Sequence, residues 1–125
     1  MLKLGNITFD CENPARVAEF WGAALGYNVE KHSEDFAVAS NPDGSRPYYL
    51  FIKVPEPRTV KNRMHVDIRV AGKGPWDLAE RERLIRAKVP TLVAAGATVV
   101  REEHYDDALG HVVMLDPEGN EFCVG

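Results

Sequence analysis

The sequence has few cysteines, no long apolar run and no excess of positive charge. Its two cysteines, Cys11 and Cys123, lie far apart among 125 residues, so a disulfide framework is not expected and a reducing compartment is favoured. No apolar run approaches the roughly 20 residues of a membrane span, and the first ten residues read as a strand rather than a signal peptide. The net charge is −4 with no basic run, which gives nucleic-acid binding no electrostatic support. We therefore expect a cytoplasmic protein with no membrane or nucleic-acid partner.

The first half of the sequence predicts a strand, a helix and three further strands. Residues 4–11 alternate between apolar and polar side chains, as in a strand with one buried face. The stretch NPARVAEFWGAALG has apolar residues at helical spacing. Asn13 suits its N-cap, Pro14 its first turn and Gly26 its C-cap. The three further strands are expected at residues 27–32, 36–39 and 48–54.

The second half repeats this order. Residues 64–70 alternate, with Met64, Val66, Ile68 and Val70 on one face and His65, Asp67 and Arg69 on the other. A helix is predicted from Trp76 to Ala95, and Pro90 should kink or split it. Strands are expected at residues 98–102, 111–115 and 121–124, with His104 in a loop between the first two.

Both halves carry a proline-containing turn before the last strand, NPDG in the first and DPEG in the second. This correspondence indicates an internal duplication, with module one at about residues 1–56, the linker PEPRTVKN at 55–62 and module two at about 63–125. In each module the helix would cover the apolar face of the sheet. Two modules placed edge to edge would then form a cup lined by polar residues. The expected lining comprises Asn6, Thr8, Asp10, His65, Asp67, Arg69, Glu121 and Cys123.

Four segments in this order resemble the vicinal oxygen chelate superfamily, which includes glyoxalase I, bleomycin-resistance proteins and extradiol dioxygenases. They are NPARVAEFWGAALGY, KNRMHVDIRV, LVAAGATVV and DPEGNEFCV, and they look most like the glyoxalase-like domain proteins. The resemblance implies an α+β fold of paired βαβββ modules, a cup-shaped mixed sheet, one domain over residues 1–125 and a homodimer.

The resemblance also implies where a metal would bind. Metal-using members take ligands from the first and last strands of each module, usually two His and two Glu. The corresponding positions here are Asn6, Phe51 or Ile52, His65 and Cys123. Since His65 alone matches the usual set, no metal cofactor is predicted. A shifted site using His65 and Glu121, with Asp67 or Asp10, is the alternative.

The predicted ligand pocket combines polar and aromatic side chains. Tyr48 and Tyr49 have opposite parity, so one of them should face the cup. Trp21 has the spacing of a core residue and is also a candidate for apolar contact, while His111 is equally compatible with the cup and with solvent. Cys11 has the parity of a packing residue. The predicted pocket residues are Asn6, Thr8, Trp21, Tyr49, Phe51, His65, Asp67, His111, Glu121 and Cys123.

Two functions follow from these residues. The first is a protein that binds a small organic molecule in the cup without the family's metal set. The alternative is a glyoxalase-type lyase or isomerase in which His65 and Glu121 transfer protons, with or without a divalent metal. The missing ligands favour the binding protein. A structural or regulatory module with no ligand of its own is also compatible with the sequence.

Overall fold

The computed structural model describes residues 1–70 and 77–125, so the predicted helix start at Trp76 lies outside the described residues. The chain divides into two compact units, Met1–Thr59 and Val60–Gly125. The boundary between these ranges falls within the predicted linker. The first unit contains β1 (Asn6–Cys11), α1 (Pro14–Leu25), β2 (Asn28–Lys31), β3 (Phe36–Ser40) and β4 (Tyr48–Lys53). The second contains β5 (Val66–Ile68), α2 (Leu78–Ala94), β6 (Thr98–Tyr105), β7 (Ala108–Leu115) and β8 (Glu121–Val124).

Each unit has the predicted βαβββ order and a four-stranded mixed sheet. The strand order is β1-β4-β3-β2 in the first sheet and β5-β8-β7-β6 in the second. The first and last strands of each unit are parallel neighbours, and the other pairs are antiparallel. The α+β fold class and the duplication predicted from the sequence are therefore confirmed. No helix in the described part of the chain is long and apolar enough to cross a membrane.

The first helix forms where its capping residues predict. The Asn13 side chain accepts a hydrogen bond from the Arg16 backbone N–H at 3.2 Å, and Pro14 occupies the first turn, where it loses no helical hydrogen bond. Gly26 ends the helix with φ of 68°, a left-handed conformation that glycine adopts without strain. The helix buries Val17 and Trp21 against the sheet.

Aromatic rings form the core of the first unit. The ring centroid of Phe9 lies 5.3 Å from that of Phe51 on the neighbouring strand and 6.2 Å from that of Trp21 on α1. The Tyr49 ring lies 5.9 Å from Trp21, and its burial, reinforced by Tyr27, raises the pKa of the Tyr49 phenol. Phe9, Phe51 and Tyr49 therefore lie on the sheet face that α1 covers. Cys11 is buried on the same face, as predicted.

The core of the second unit is mainly aliphatic, with Ile85 and Leu92 of α2, Leu109 and Met114 of β7, and Phe122 of β8 almost fully buried. The Asp77 side chain caps α2 by accepting hydrogen bonds from the backbone N–H groups of Ala79 and Glu80.

Pro90 was predicted to kink or split this helix; a split is wrong, because α2 runs continuously over Leu78–Ala94 with Pro90 inside it, whereas a kink stays a prediction. Proline removes one backbone donor. Burial of Leu92 beyond it stabilises the last turn.

The DPEG turn is built around a buried carboxylate. Asp116 is 3 % exposed, and its Oδ1 accepts hydrogen bonds from the backbone N–H groups of Glu118 at 2.8 Å and Asn120 at 2.9 Å. Its Oδ2 accepts from Nδ2 of Asn120 at 2.8 Å. Asn62 in the linker donates from Nδ2 to Oδ1 of Asn120 at 2.7 Å. This network fixes the entry to β8 and ties the linker to it.

Two predicted boundaries change in the second unit. Strand β5 is limited to Val66–Ile68, and Met64, predicted on the apolar face, is 77 % exposed. Strand β6 extends to Tyr105, so His104 lies on a strand and not in a loop. Near its turn, the β6–β7 hairpin packs the Tyr105 ring closely against Gly110. A Cβ at Gly110 would clash with that ring.

Candidate functional site

Each sheet has a second face, which we call its outer face. In the first unit it is the face opposite α1, and in the second it is the face opposite Phe122 and Val124. On the second sheet the strand register aligns Asp67 with Cys123, Cys123 with Val113, and Val113 with Arg101. Side chains at aligned positions project to the same face. The outer face of the second unit therefore carries a row of ionisable groups interrupted by one valine.

Three side chains of the second outer face form a compact group, which we call the donor cluster: His65, Asp67 and Cys123. Their nitrogen, carboxylate oxygen and sulfur atoms all lie within 4.8 Å of one another. His65 Nδ1 is 3.5 Å from Asp67 Oδ1, and Cys123 is 9 % exposed whereas the other two are exposed. The sequence predicted all three on one face, and the structure brings them together.

The electrostatic environment keeps the Cys123 thiol protonated. Burial raises the pKa of the thiol, and the negative charges of Asp67 and Glu121, with a hydrogen bond to Asp67, raise it further. Arg101 opposes this by a smaller amount. Because the thiolate is the nucleophile, a raised pKa weakens the interpretation of Cys123 as a nucleophile activated by His65.

Glu121 lies on the same outer face but outside the donor cluster. Its Oε1 is 3.4 Å from Nζ of Lys61, and its side chain is 13 % exposed. Among the residues the structure describes, the carboxylate grouped with His65 is that of Asp67. Of the two carboxylates predicted beside His65, the structure places that of Asp67 next to it and that of Glu121 next to Lys61.

The donor cluster fits a metal ion through three ligands. An imidazole, a carboxylate and a thiol together suit a borderline ion such as Zn²⁺ better than Mg²⁺ or Mn²⁺, which prefer oxygen. Ligand atoms on one Zn²⁺ lie about 3.5 Å apart when the metal distances are about 2.0–2.3 Å, so the His65–Asp67 separation of 3.5 Å suits a shared ion. Binding would also have to displace the Cys123 proton.

The outer face of the first unit has a different composition. Asn6, Thr8 and Asp10 of β1 align with Tyr48, Leu50 and Ile52 of β4. Two of the predicted pocket residues of β4, Tyr49 and Phe51, instead face α1, and Phe51 and Trp21 are buried in the core. The sequence did not specify which alternate side chains of β4 face outward, because β4 has apolar side chains at successive positions. Tyr48, Leu50 and Ile52 are the outward residues.

Arg46 is a site residue that the sequence did not indicate. It precedes β4, and its Nη1 donates a hydrogen bond to Oδ1 of Asn6 at 2.8 Å. Its guanidinium carbon lies 3.8 Å from the centroid of the Tyr48 ring. No periodicity marks a residue just before a strand. Only the parallel alignment of Asn6 with Tyr48 brings Arg46 onto the outer face.

His111 lies on the second outer face, two residues before Val113 on β7, and is half-buried. Its Nδ1 is 3.1 Å from the Tyr105 hydroxyl. His111 also pairs with Glu103 across the hairpin, and the pKa of that carboxyl is lowered chiefly by its hydrogen bond to Arg101. His111 extends the polar row of this face away from the donor cluster.

Comparison with known proteins identifies the fold. The family model described as glyoxalase-like domain matches residues 6–125. No curated protein matches the sequence. A glyoxalase/bleomycin resistance protein/dioxygenase family enzyme from Burkholderia phytofirmans is similar in structure, with a TM-score of 0.72, 17 % identity, and coverage of 98 % of this chain and 97 % of that one.

Two further solved structures have the same fold. A glyoxalase-related enzyme from Fulvimarina pelagi has a TM-score of 0.65 and 17 % identity over 99 % of this chain and 87 % of that one. A fosfomycin resistance protein from Listeria monocytogenes, a mutant complexed with Mn(II) and a dihydroxypropylphosphonic acid, has a TM-score of 0.70 and 9 % identity over 99 % and 89 %. At these identities the likeness concerns the fold alone.

Proposed function

This chain belongs to the glyoxalase-like domain family, and from that premise we propose that the polar outer faces of its units bind small organic molecules, with the donor cluster as the polar anchor of the second unit. The observation that carries the proposal is the convergence of His65, Asp67 and Cys123 within 4.8 Å on one sheet face. Polar groups that converge beside buried apolar residues are typical of ligand sites. Here the donor cluster lies beside the buried Val113, which is aligned with Cys123.

The binding is proposed not to depend on the family's four-residue metal set. The second unit offers three donors, and the aligned outer-face residues of β1 and β4 in the first unit offer one carboxylate, Asp10. The Cys123 thiol has a raised pKa, so one of the three donors is protonated at neutral pH. Hydrogen bonding by imidazole, carboxylate and thiol to a polar ligand needs no deprotonation.

The test is a thermal-shift screen of small organic acids, amines and neutral carbonyl compounds, run with a chelator and again with added Zn²⁺. We expect at least one compound to raise the melting temperature in the presence of chelator. His65→Ala should weaken that compound's binding about tenfold, as for loss of a hydrogen bond to a polar ligand, while changing stability by less than about 1 kcal/mol because His65 is exposed.

His104→Ala is the matched control, since His104 is also an exposed histidine of the second unit and lies outside the donor cluster. It should leave binding unchanged. Equal loss in both variants, or full binding by the His65 variant together with a large loss of stability, would show that His65 is not part of the site.

A second candidate, proton transfer of the lyase or isomerase type, is favoured by one contact. His65 Nδ1 lies 3.5 Å from Asp67 Oδ1, and a carboxylate beside an imidazole orients the ring and stabilises its protonated form. His65 would take a proton from the carbon next to a substrate carbonyl, and the C–H electron pair would form an enediolate. If the same three residues held a metal, His65 would be a ligand and no longer a base, so Glu121 would take the proton and the metal would supply electrophilic stabilisation of the enediolate.

The two candidates separate in one measurement. Proton transfer predicts that the protein catalyses exchange of the carbon-bound proton of hydroxyacetone with solvent deuterium, followed by NMR, and that Asp67→Asn slows it. Binding without exchange, with or without Zn²⁺, supports the binding protein. Exchange that needs Zn²⁺ supports the enzyme and contradicts metal-independent function.

A further inference from the structure

The outer face of the first unit holds an arginine in a fixed position. The Arg46 Nη1 group donates to Asn6 Oδ1 at 2.8 Å and approaches the Gly5 carbonyl oxygen at 3.4 Å. The guanidinium also lies over the Tyr48 ring, 3.8 Å from its centroid, a distance typical of cation–π contact. Two side chains therefore orient the guanidinium, which reduces the entropy lost when it binds a ligand.

Arg46 has no acidic partner among the residues that the structure describes. The other arginines for which ion pairs are found, Arg83, Arg86 and Arg101, each contact a glutamate. A guanidinium carries five N–H donors in a planar fork, and the contacts to Asn6 and Gly5 both use Nη1. The remaining donors are available to an anion, and two of them can bind one carboxylate in parallel.

The surface beside Arg46 is apolar in its centre and polar at one edge. The register aligns Leu50 with Val38, and Ile52 with Phe36, which places these four side chains on the outer face next to Tyr48. Asn6 and Thr8 lie on the adjacent strand β1. Asn6 Oδ1 accepts from Arg46, which leaves the Asn6 amide N–H₂ group as a further donor at the same end of the face.

Acidic groups on this outer face lie away from Arg46. Asp10 is at the opposite end of β1, aligned with Ile52. Glu30 of β2, aligned with Val38, contacts His32 at 3.2 Å. The nearest acid in sequence, Asp43 of the preceding turn, accepts a hydrogen bond from the Ser45 backbone N–H at 2.8 Å, and Arg46 is not paired with it.

We infer that Arg46, with the Asn6 amide, binds the carboxylate of a small organic acid whose apolar body lies over Leu50 and Val38. This inference rests on the proposed function and specifies its ligand class, an organic anion. The acidic donor cluster of the second unit would favour a cation, so the two outer faces are expected to differ in the charge of the ligand that each binds.

The experiment is a ¹⁵N-NMR titration of the full chain with benzoate, benzamide and benzylamine at low ionic strength. These probes share one ring and differ in charge. Benzoate should shift the amides of Asn6, Tyr48 and Leu50 and should bind about tenfold more tightly than benzamide, since a hydrogen bond to a charged group is worth about 1.5–3 kcal/mol. Arg46→Gln should weaken benzoate about tenfold and leave benzamide unchanged.

Arg16→Gln is the matched control, because it removes the same charge from an exposed position of α1, away from the outer face. It should not alter benzoate binding. Phenylphosphonate, run in parallel, distinguishes a general oxyanion site from one fitted to a carboxylate.

Equal affinity for benzoate and benzamide, benzoate binding that survives Arg46→Gln, or no benzoate binding would each overturn the inference. Benzamide or benzylamine bound at the donor cluster would keep the proposed function while removing the organic anion as its ligand. Failure of every compound, here and in the thermal-shift screen, would remove both.

Discussion

The outer face of the first unit presents a guanidinium, whereas that of the second presents an imidazole, a carboxylate and a thiol. Both faces lie on sheets with the same strand order and the same parallel pairing of first and last strands. At corresponding places on the first strands, β1 has Asn6 and Thr8 and the second unit has His65 and Asp67. One backbone arrangement thus carries two different chemistries.

The covered faces differ as well. Aromatic rings fill the first core and mainly aliphatic side chains fill the second. The alternation of a strand fixes which positions are buried and which are outward, but it does not fix the residue type at either. Duplicated units can therefore diverge in both core and site while keeping their topology. Substitutions on each face test which side chains are buried and which face outward.

The largest effect on stability is expected from substitutions on the two opposite faces of β4. Phe51→Ala should lower the free energy of unfolding by about 3–5 kcal/mol, because it empties a fully buried site between Phe9 and α1. Ile52→Ala, at the next position on the outer face, should cost less than about 1 kcal/mol. Urea unfolding of both variants measures the difference. Similar losses would contradict the assigned orientation of β4.

A smaller difference in stability is expected between substitutions in the two proline-containing turns. Asp116→Ala leaves three hydrogen-bond donors of Glu118 and Asn120 without their acceptor in a buried site, and should cost about 2–4 kcal/mol. Asn41→Ala in the NPDG turn should cost about 1 kcal/mol or less, since the Asn41 side chain accepts one exposed hydrogen bond, from the Asp43 backbone N–H. Equal costs would show that the DPEG network does not stabilise the second unit beyond an ordinary turn.

The smallest effect is a pH dependence within the second unit. The folded-state pKa of Cys123 is raised above the ordinary thiol value of 9.0, so above pH 9 the unfolded state loses its proton first. The stability linked to Cys123 is therefore fully present below pH 9 and is lost as pH rises toward the folded-state pKa. Unfolding measured across this range should show a shallower decline for Cys123→Ala.

The rate of alkylation of Cys123 tests the same electrostatic effect on its thiol. Asp67→Asn removes a negative charge that raises the thiol pKa, and should speed reaction of Cys123 with iodoacetamide at a fixed pH below 9. Glu12→Gln, a similar change at an exposed acid of the first unit, should not. An unchanged rate in the Asp67 variant would contradict the electrostatic coupling within the donor cluster.

Much of the fold was predictable because its signals are local. Alternation in residues 4–11, the Asn13 cap and the Gly26 stop each concern neighbouring residues. The repeat of the turn motif then predicted the second unit. The errors have physical causes: β4 lacks alternation, and burial beyond Pro90 allows α2 to continue through a proline.

Only part of the candidate site followed from sequence. His65, Asp67 and Cys123 were predicted on one face because parity alone places them there. Arg46 was missed, since its position depends on strands that are distant in sequence. Glu121 contacts Lys61 instead of His65, and periodicity does not encode that contact. Homodimer formation and cytoplasmic location stay predictions.

The parallel pairing of first and last strands also affects the order in which the strands are expected to pair during folding. In each unit the helix and the antiparallel meander can form from neighbouring stretches of chain, but β1 must wait for β4, and β5 for β8. Contacts between distant parts of the chain form late, because closing the intervening loop costs entropy. We therefore expect the parallel strand pairs to assemble last, and Arg46 to reach Asn6 only when β1 pairs with β4.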